Sequence, residues 1–420
     1  MVTILKSWFL NSKPESELDP ESKPPENGSK SSAVFTSSSL KVDRVLLVLV
    51  IALVLFGLIM VYSASFIYAQ EKTGDGFTLI RKQLGFATLG FLTLFGVSRI
   101  NYKIWEKCAY PVLVFAIFLL ALVLVPGIGS RAGGAQRWLH LGGFNFQPGE
   151  FAKFAIIFFV ARQLNQKQDR IQTWTAGVLS HFVAPLPALI LLLLQPDFGS
   201  TAIIALVIFA LMFLGGVPRR YLAATLIPGL FLGACLIFGT AYRRARVIGF
   251  LDPWQDPGGR GFQILQSLIG FHNGGLWGVG LGNGKEKLFY LPEAHNDFIF
   301  AVIGEELGFI GIVAVVMAYL WFVHRGLRIA WNCQKSNRDH FGMFLAAGIT
   351  MVIGLQSFLN IAVVLGLLPT KGLALPFISY GGSALLIDLF AVGVLLSIAR
   401  GQDQALLSAK DTTSSEHSKL

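Results

Sequence analysis

Charged residues are scarce in this chain, at 14% of 420 residues against a hydrophobic share of 54%. Soluble domains typically carry about 25% charged residues. The apolar residues also come in runs that are too long for the core of a soluble domain. These two features exclude a soluble globular protein and predict an integral membrane protein.

Cysteine is scarce as well, and the three cysteines, Cys108, Cys235 and Cys333, lie at or near apolar segments. Their odd number and placement imply neither a disulfide framework nor a metal site, and they are expected to be buried small hydrophobic residues. The glycine-rich run that begins at Gly127 lacks the spacing and the Lys-Ser/Thr ending of a P-loop, which excludes that nucleotide-binding motif.

About ten stretches are apolar and long enough to cross a bilayer as helices, which takes roughly 20 residues each. They lie near residues 45–65, 83–98, 109–126, 149–163, 174–195, 200–216, 221–240, 298–323, 342–367 and 379–399. The expected fold is therefore an all-α bundle of about ten transmembrane helices. Residues 45–400 form this membrane domain, and 241–297 form its one large outer loop.

The distribution of Lys and Arg orients the bundle. An even number of spans puts both termini on one side, and that side carries 21 of the 34 Lys and Arg residues while the other carries 12. Cytoplasmic loops are enriched in these residues, so both termini are expected in the cytoplasm and the loop 241–297 outside. Attraction to anionic membrane lipid then accounts for the net charge of +10 without nucleic acid as a partner.

The two ends of the chain are expected to be cytoplasmic tails. Residues 1–44 are rich in Ser, Pro, Lys and Glu and lack a long apolar core, which predicts a disordered tail and not a cleaved signal peptide. Two interpretations of this tail stay open: it docks a cytoplasmic partner, or it has no function. Residues 401–420 form the C-terminal tail.

The stretch 291–301 is the most informative, because polar and ionisable residues pass directly into an apolar span. Asn296 and Asp297 are good helix-capping residues, and a carboxylate there faces the positive end of the helix dipole. A plain N-cap is one interpretation of Asp297. The other is a carboxylate that performs chemistry on a ligand reaching it along the membrane.

Charges within or beside the spans mark further candidate positions. Glu150 and Lys153 are three residues apart in the fourth span, which predicts an ion pair on one helix face. Because charges in a membrane are costly, the pair should face the protein interior or a wet cavity, as a structural pair or a ligand contact. Asp197 is expected to cap the sixth span. Arg81, at the outer edge of the second span, either reaches lipid phosphates or binds an anionic ligand.

Segments outside the spans also carry local signals. Hydrophobic residues recur at helical spacing within 262–269, which predicts a short helix on the bilayer surface. The segment 367–383 is rich in Gly, Pro and apolar residues with Lys371 as a lone cation, and is expected to fold back into the protein. Gln356 and Asn360, one turn apart in the ninth span, are expected to form helix-to-helix hydrogen bonds.

Five segments resemble signatures of the family of shape, elongation, division and sporulation proteins, in that family's order. These segments are 147–153, 195–199, 250–256, 291–301 and 369–383, and the resemblance extends from residue 45 to 401. Residues 293–295 and 369–373, with the long polar tail, are similar to the division-type members more than to the elongation-type ones. Departures are mild: Asn296 stands where Thr is common, and Ala384 where a second Ser is common.

The resemblance implies a peptidoglycan glycosyltransferase of the bacterial inner membrane that polymerises lipid II, an undecaprenyl-pyrophosphate-linked disaccharide-peptide, at the division septum. It implies a class B penicillin-binding transpeptidase and other division proteins as partners. The family's essential aspartate falls on Asp297, which would act as general base. Three alternatives stay open, namely an elongation-type polymerase, a lipid II flippase and a non-catalytic scaffold of the division machinery.

The leaving group of that reaction is a lipid pyrophosphate, whose growing negative charge must be met by cations or by a divalent metal, Mg²⁺ or Mn²⁺. Arg246, Lys371 and Arg81 are the cations expected to bind it, because each is assigned to the outer face near a family segment. Glu150 and Lys153 are expected to fix the wall of the lipid groove. No other cofactor is expected.

Overall fold

The computed structural model describes residues 43–417 except 133–134, 142–143 and 338, so nearly all of the expected N-terminal tail lies outside the described residues. The helices are α1 (Arg44–Thr73), α2 (Thr78–Val97), α3 (Lys103–Leu124), α4 (Pro148–Gln166), α5 (Thr175–Leu194), α6 (Phe198–Leu214), α7 (Arg219–Phe238), α8 (Ala241–Leu251), α9 (Phe262–Gly274), α10 (Ile299–Asn337), α11 (His340–Val364) and α12 (Gly382–His417). A helix overlaps each of the ten apolar stretches, and the all-α membrane fold is confirmed.

Length and composition qualify many of these helices as membrane spans. Within the described residues, seven are long and apolar enough to cross a bilayer, namely α1, α3, α5, α7, α10, α11 and α12. The apolar helix α6 is shorter, and α2 and α4 do not meet the same criterion. The protein is therefore a multi-pass membrane protein, while the count of ten crossings stays a prediction.

Helix α4 lies inside the bundle. Almost every side chain from Pro148 to Leu164 is buried, and its aromatic and branched residues pack against α3, α11 and α6. The two charges near its start, Glu150 and Lys153, are 5% and 0% exposed. Because the surrounding protein encloses α4, this helix can contain charged residues and have a low mean hydropathy without exposing them to lipid.

A small antiparallel sheet follows α3, which the sequence analysis did not predict. Its strands are β1 (Gly129–Ala132), β2 (Ala135–Leu141) and β3 (Phe144–Phe146), in that order across the sheet. Gln136 fastens the sheet to the end of α3, because its side-chain amide donates to the carbonyl of Val123 at 2.8 Å. The described part of the glycine-rich run thus belongs to a sheet that is fastened to the end of α3.

The outer loop 241–297 contains two short helices, α8 and α9. The helix α9 contains the residues whose spacing predicted it, and it packs on α10. Leu265 is buried, whereas Leu268 and Ile269 are 40% and 42% exposed. The predicted short helix is therefore confirmed, with one side against the protein.

The long helix α10 is interrupted at Gly308, whose φ of +66° is a conformation that favours glycine. The backbone N–H groups of Val279 and Gly280 donate to the carbonyls of Glu305 and Glu306, both at 3.0 Å. Carbonyls that the break leaves without a helical partner are thus satisfied by the preceding loop, as a membrane protein requires.

The segment between α11 and α12 has irregular backbone and is largely buried between 373 and 379. Its carbonyls accept hydrogen bonds from side chains of the surrounding helices: Ala374 from Gln356 at 3.0 Å, and Pro376 from the Tyr319 hydroxyl. The expected folding back of this segment into the protein is confirmed. Residues 366–381 are called the inserted segment.

Close packing between α1 and the inserted segment gives a first prediction. A Cβ atom on Gly57 would lie 2.5 Å from the backbone oxygen of Phe377, whereas a Cβ on Gly85 in α2 would have nothing within 4 Å. Gly57→Ala should therefore destabilise the protein by about 1–3 kcal/mol through overpacking. Gly85→Ala is the matched control and should be neutral or stabilising, because alanine is the better helix former. The measurement is the thermal unfolding midpoint of each purified variant, and equal midpoints would contradict this packing.

Candidate active site

Asp297 lies just before α10, and its backbone is held in place by another helix. The Asn360 side-chain amide of α11 donates to the Asp297 carbonyl at 2.7 Å. The Asp297 carboxylate itself accepts no hydrogen bond from any residue that the structure describes. It is partly buried beside Gly372, where an added Cβ would lie 2.9 Å from Oδ2. The carboxylate is therefore not used as a helix cap.

The surroundings of this carboxylate raise its pKa. Burial raises the pKa of Asp297 most, the Glu293 carboxylate adds to this, and the positive charges of Arg137 and Arg246 oppose both, so that the net pKa is about 7. A carboxyl group with this pKa is ionised in part near neutral pH and can both accept and release a proton there. Asp297 thus has the protonation behaviour that a general base needs.

Two arginines near Asp297 are oriented by backbone carbonyls. Arg246 of α8 donates to the carbonyl of Thr370 at 3.2 Å. Arg137 of β2 donates to the carbonyls of Gln195 and Pro196 at 3.2 and 2.5 Å. A guanidinium has five N–H donors, so it can be held by protein carbonyls and bind an anion at the same time.

Lys371, which lies on the inserted segment, is the third cation near the site. Its ammonium lies 5.0 Å from the ring centre of Phe198, at the start of α6, and the Arg243 guanidinium lies 5.7 Å from the same ring. Burial lowers the pKa of Lys371, and the nearby Asp197 carboxylate opposes this. Asp197 also accepts from the Ser200 N–H at 3.2 Å and caps α6, as the sequence predicted. The site therefore combines the Asp297 carboxylate with cations from separate parts of the chain, and Glu293 and Asp197 are further acids near it.

The structure brings some of the predicted site residues together and keeps one apart. Arg246 and Lys371 both lie beside the segments that contact Asp297. Arg81 instead pairs with Asp75 at 2.8 Å, with 70% of its side chain exposed. The role expected for Arg81 in binding pyrophosphate stays a prediction without a contact to support it.

Glu150 and Lys153 form the expected ion pair, with Nζ and Oε2 at 2.6 Å. The Lys153 ammonium also donates to the Gln356 side-chain oxygen, and the buried Asp388 carboxylate of α12 interacts electrostatically with both charges. The pair therefore joins α4, α11 and α12 inside the bundle. Contacts through Gln356 and the inserted segment connect the pair to the neighbourhood of Asp297.

Arg137 is the functional candidate that the sequence analysis missed. The stretch 136–139 shows a basic and an aromatic residue after a glycine-rich run, and that composition gives no position relative to Asp297. The position of β2 in the fold brings Arg137 to the carbonyls of Gln195 and Pro196, between α5 and α6. A signal existed in the sequence, namely an arginine in a loop otherwise poor in charge.

Glu305 and Glu306 make their polar contacts with the end of the outer loop and not with Asp297 in the described residues. Glu305 accepts from the backbone N–H groups of Lys285 and Glu286 at 2.8 and 3.1 Å, and Glu306 pairs with Lys287 at 2.6 Å. These acids stabilise the end of the outer loop. They do not supply a second carboxylate for the candidate site.

In the described ranges, the side chains around Asp297 do not by themselves form a metal site. Within the described ranges, no group of three His, Cys, Asp or Glu side chains could bind a metal ion. The nearest charged groups include two arginines, which repel a divalent cation. The expected Mg²⁺ or Mn²⁺ stays a prediction, and no step of the reaction is derived through it.

The fold and the site together define a multi-pass membrane protein with a carboxylate among cations at one end of its helices. The family model described as "Cell cycle protein", which groups FtsW, RodA and SpoVE, matches residues 43–404. The chain belongs to this family.

Similar proteins span nearly the whole chain. A probable peptidoglycan glycosyltransferase FtsW of Geobacter sulfurreducens is 48% identical over 357 residues, which are 85% of this chain and 95% of the relative. Stage V sporulation protein E of Bacillus subtilis is 39% identical over 87% of this chain and 99% of its own.

Two solved structures share the fold. A chain of a peptidoglycan synthase complex that coordinates polymerisation and crosslinking superposes with a TM-score of 0.70 at 32% identity, covering 86% of this chain and 99% of that one. The rod shape determining protein RodA of Thermus thermophilus gives a TM-score of 0.65 at 28% identity, with coverages of 87% and 98%.

The buried ion pair gives the second prediction. Removing one partner of a fully buried pair typically costs about 3–5 kcal/mol, so Glu150→Ala and Lys153→Ala should each harm folding severely. The double swap Glu150→Lys with Lys153→Glu restores opposite charges and should recover part of what either single swap loses. Recovery is incomplete because a glutamate at 153 cannot donate to the Gln356 oxygen as Lys153 does.

Membrane abundance and unfolding midpoints of the two single swaps and the double swap test this pair. A double swap that accumulates normally and still recovers nothing of what the single swaps lose would mean that each residue contacts substrate separately. Near-wild-type values for all three variants would contradict both interpretations.

Proposed function

We propose that this chain is a division-type peptidoglycan glycosyltransferase that polymerises lipid II, with Asp297 as the general base. The observation that carries the proposal is the Asp297 carboxylate, which accepts no hydrogen bond from the described residues, has its pKa raised to about 7 and stands among cations. The names of the relatives support the reaction, since the FtsW protein of Geobacter sulfurreducens is described as a probable peptidoglycan glycosyltransferase.

The chemistry follows from these groups. The acceptor sugar hydroxyl gives its proton to the Asp297 carboxylate while its oxygen attacks the anomeric carbon of the donor. The bond from that carbon to the lipid pyrophosphate breaks, and the pyrophosphate leaves with both bonding electrons. Attack opposite an α-linked pyrophosphate gives a β link, so inversion requires no covalent enzyme intermediate. The proton then passes from Asp297 to water, which restores the base.

The cations stabilise the leaving group. Negative charge grows on the pyrophosphate as its bond to the sugar breaks, and fixed positive groups at that place lower the barrier. Arg246, Lys371 and Arg137 are suited to this because each is held by backbone or aromatic contacts before the substrate arrives. A preorganised cation loses little to reorganisation during the reaction.

The cellular setting belongs to the proposal as well. We place the site at the outer face of the bacterial inner membrane, with both termini in the cytoplasm, in agreement with the excess of Lys and Arg on the assigned cytoplasmic side. The similarity to a chain of a peptidoglycan synthase complex supports a class B penicillin-binding transpeptidase as partner. The higher identity to FtsW proteins than to the solved RodA favours the division septum over elongation.

One observation favours a second function, a lipid II flippase. Glu150, Lys153 and Asp388 place three ionisable side chains within the membrane bundle, a feature common in transporters. In this chain Lys153 is engaged by Glu150 and Gln356, so structural roles account for two of the three. Purified protein in detergent with lipid II separates the functions: polymer without a second enzyme supports the polymerase. Lipid movement in vesicles without any polymer would support the flippase, and neither activity would support a scaffold.

Replacement of Asp297 by its amide gives the third prediction. Asp297→Asn keeps the shape of the side chain but lacks a base, so polymerisation should fall by about 10²- to 10⁴-fold while the protein still folds and enters the membrane. Glu293→Gln is the matched control, because it removes a nearby exposed carboxylate without removing the base. More than about a tenth of wild-type activity in Asp297→Asn would count against a base at this position.

The pH profile of the wild type provides a second measure of the same base. Because the base must be ionised and its pKa is about 7, the rate should fall tenfold per pH unit below that value and level off above it. Glu293→Gln removes a negative charge that raises this pKa and should shift the acid limb to lower pH. An acid limb near pH 4 in the wild type would contradict this prediction, because it would mean that the catalytic base is more solvated than Asp297 is in this structure.

Neutralising the cations gives the fourth prediction. Arg246→Ala and Lys371→Ala should each lower kcat/KM for lipid II roughly tenfold or more, as the loss of a hydrogen bond to a charged group typically does. Arg244→Ala is the matched control, since Arg244 lies on the same helix as Arg246 but is exposed. If both variants polymerise normally across a lipid II titration, the pyrophosphate is bound elsewhere.

A further inference from the structure

Three consecutive carbonyls that lead into α10 are each held by a different donor. The His295 carbonyl accepts from the backbone N–H of Tyr380 at 3.0 Å, and the Asn296 carbonyl from the Ser379 hydroxyl at 2.7 Å. The Asp297 carbonyl accepts from the Asn360 side chain at 2.7 Å. Two of these donors belong to the inserted segment and one to α11. The backbone that carries the carboxylate is therefore fixed from outside its own helix.

Asn360 makes a second contact that couples two parts of the site. Its side-chain nitrogen also donates to the Leu373 carbonyl of the inserted segment at 2.5 Å. Two carbonyl acceptors at one nitrogen fix the orientation of the amide, because the carbonyl end of Asn360 could not bond to them. Asn360 is 1% exposed, so a lost bond here would not be replaced readily by water.

Asn360 links the backbone of Asp297 to the segment that carries Lys371. The inserted segment runs from Lys371 through Gly372, which stands against the Asp297 carboxylate, to Leu373, which Asn360 binds. A movement of Leu373 away from Asp297 would carry Lys371 with it. The same amide therefore determines where the carboxylate lies relative to the Lys371 ammonium.

Gln356, one turn earlier on α11, supports the same segment. Its amide donates to the Ala374 carbonyl at 3.0 Å, next to the carbonyl that Asn360 binds. Its oxygen accepts from the Lys153 ammonium, which pairs with Glu150. The helix-to-helix bond expected of Gln356 is present at its oxygen, which accepts from Lys153 of α4, whereas the amide nitrogens of Gln356 and Asn360 donate to irregular backbone.

We infer that Asn360 is a positioning residue, which fixes the distance between the Asp297 carboxylate and the Lys371 cation by binding the Asp297 and Leu373 carbonyls together. The inference rests on the proposed function, because the distance matters only if one group takes a proton while the other meets the leaving group. Both must be in place in the same transition state, and a misplacement of about 1 Å can lower a rate about 10²-fold.

Asn360→Ala removes both bonds and tests the inference with purified protein and lipid II. We expect kcat to fall about 10- to 100-fold while KM changes less than about threefold, because binding groups stay and alignment is lost. The acid limb of the pH profile should move to lower pH, since a loosened Asp297 is better solvated. Thr350→Val is the matched control: among the described residues this buried side chain of α11 bonds within its own helix, to the Ala346 carbonyl, and its loss should leave kcat and the acid limb unchanged.

A double-mutant cycle with Lys371→Ala separates positioning from a general structural role. If Asn360 acts by placing Lys371 against Asp297, Asn360→Ala should cost less kcat in the Lys371→Ala background than in the wild type. A purely structural residue would show equal costs in both backgrounds. Equal costs, or a wild-type kcat with an unmoved acid limb in Asn360→Ala, would overturn the inference.

Two further outcomes keep this inference distinct from the proposed function. Where Asn360→Ala does not accumulate, Asn360→Ser, which retains one donor, is measured by the same criteria, and failure of both to fold would make the residue structural and overturn the inference. An active Asp297→Asn would overturn the proposed function itself. An inactive Asp297→Asn with a fully active Asn360→Ala would overturn the inference alone.

Discussion

The constraint on which this structure depends is the need to satisfy backbone polar groups where the chain leaves helical form inside a membrane protein. The inserted segment exposes carbonyls within the bundle, and side chains from α10 and α11 bind them: Asn360 at Leu373, Gln356 at Ala374 and Tyr319 at Pro376. Each such bond fixes the segment in one place. The need to satisfy these carbonyls thereby holds the inserted segment, which carries Lys371, against the backbone that carries Asp297.

The same constraint operates at the break in α10. Gly308 ends the regular hydrogen-bond pattern, and the loop through Val279 and Gly280 binds the carbonyls that are left. The short outer part of α10 is thus tied to the outer loop, while the rest of the helix spans the bundle. Asp297 lies just before this short part, and Asn360 holds its backbone carbonyl.

Electrostatic balance at Asp297 follows from this arrangement. Burial and Glu293 disfavour the charged carboxylate, whereas Arg137 and Arg246 favour it, and the resulting pKa of about 7 lies between the limits that either influence alone would give. The arginines are turned toward backbone carbonyls and make no hydrogen bond to Asp297 among the described residues. A direct ion pair would lower the pKa much further and leave a weaker base.

How far the sequence could predict this structure depends on the range of each interaction. Apolar runs, the cap at Asp197 and the pair Glu150–Lys153 are local in sequence, and each was predicted correctly. The sheet β1–β3 was not, because its strands are short and its glycines favour a loop interpretation. Contacts between distant residues, such as Arg137 with Pro196 and Asn360 with Asp297, have no signature in a single sequence.

Arg81 and Asn360 show why residue type alone assigns function poorly here. Arg81 has the charge expected of an anion-binding residue, and the structure pairs it with Asp75 at an exposed position. Asn360 is neutral and lies in an apolar span, where a helix contact is the ordinary expectation. Yet it is Asn360 that touches the backbone of the proposed base. In a protein that excludes water, a neutral amide with two defined acceptors constrains a site more strongly than an exposed charge, because loss of either bond leaves a buried polar group without a partner.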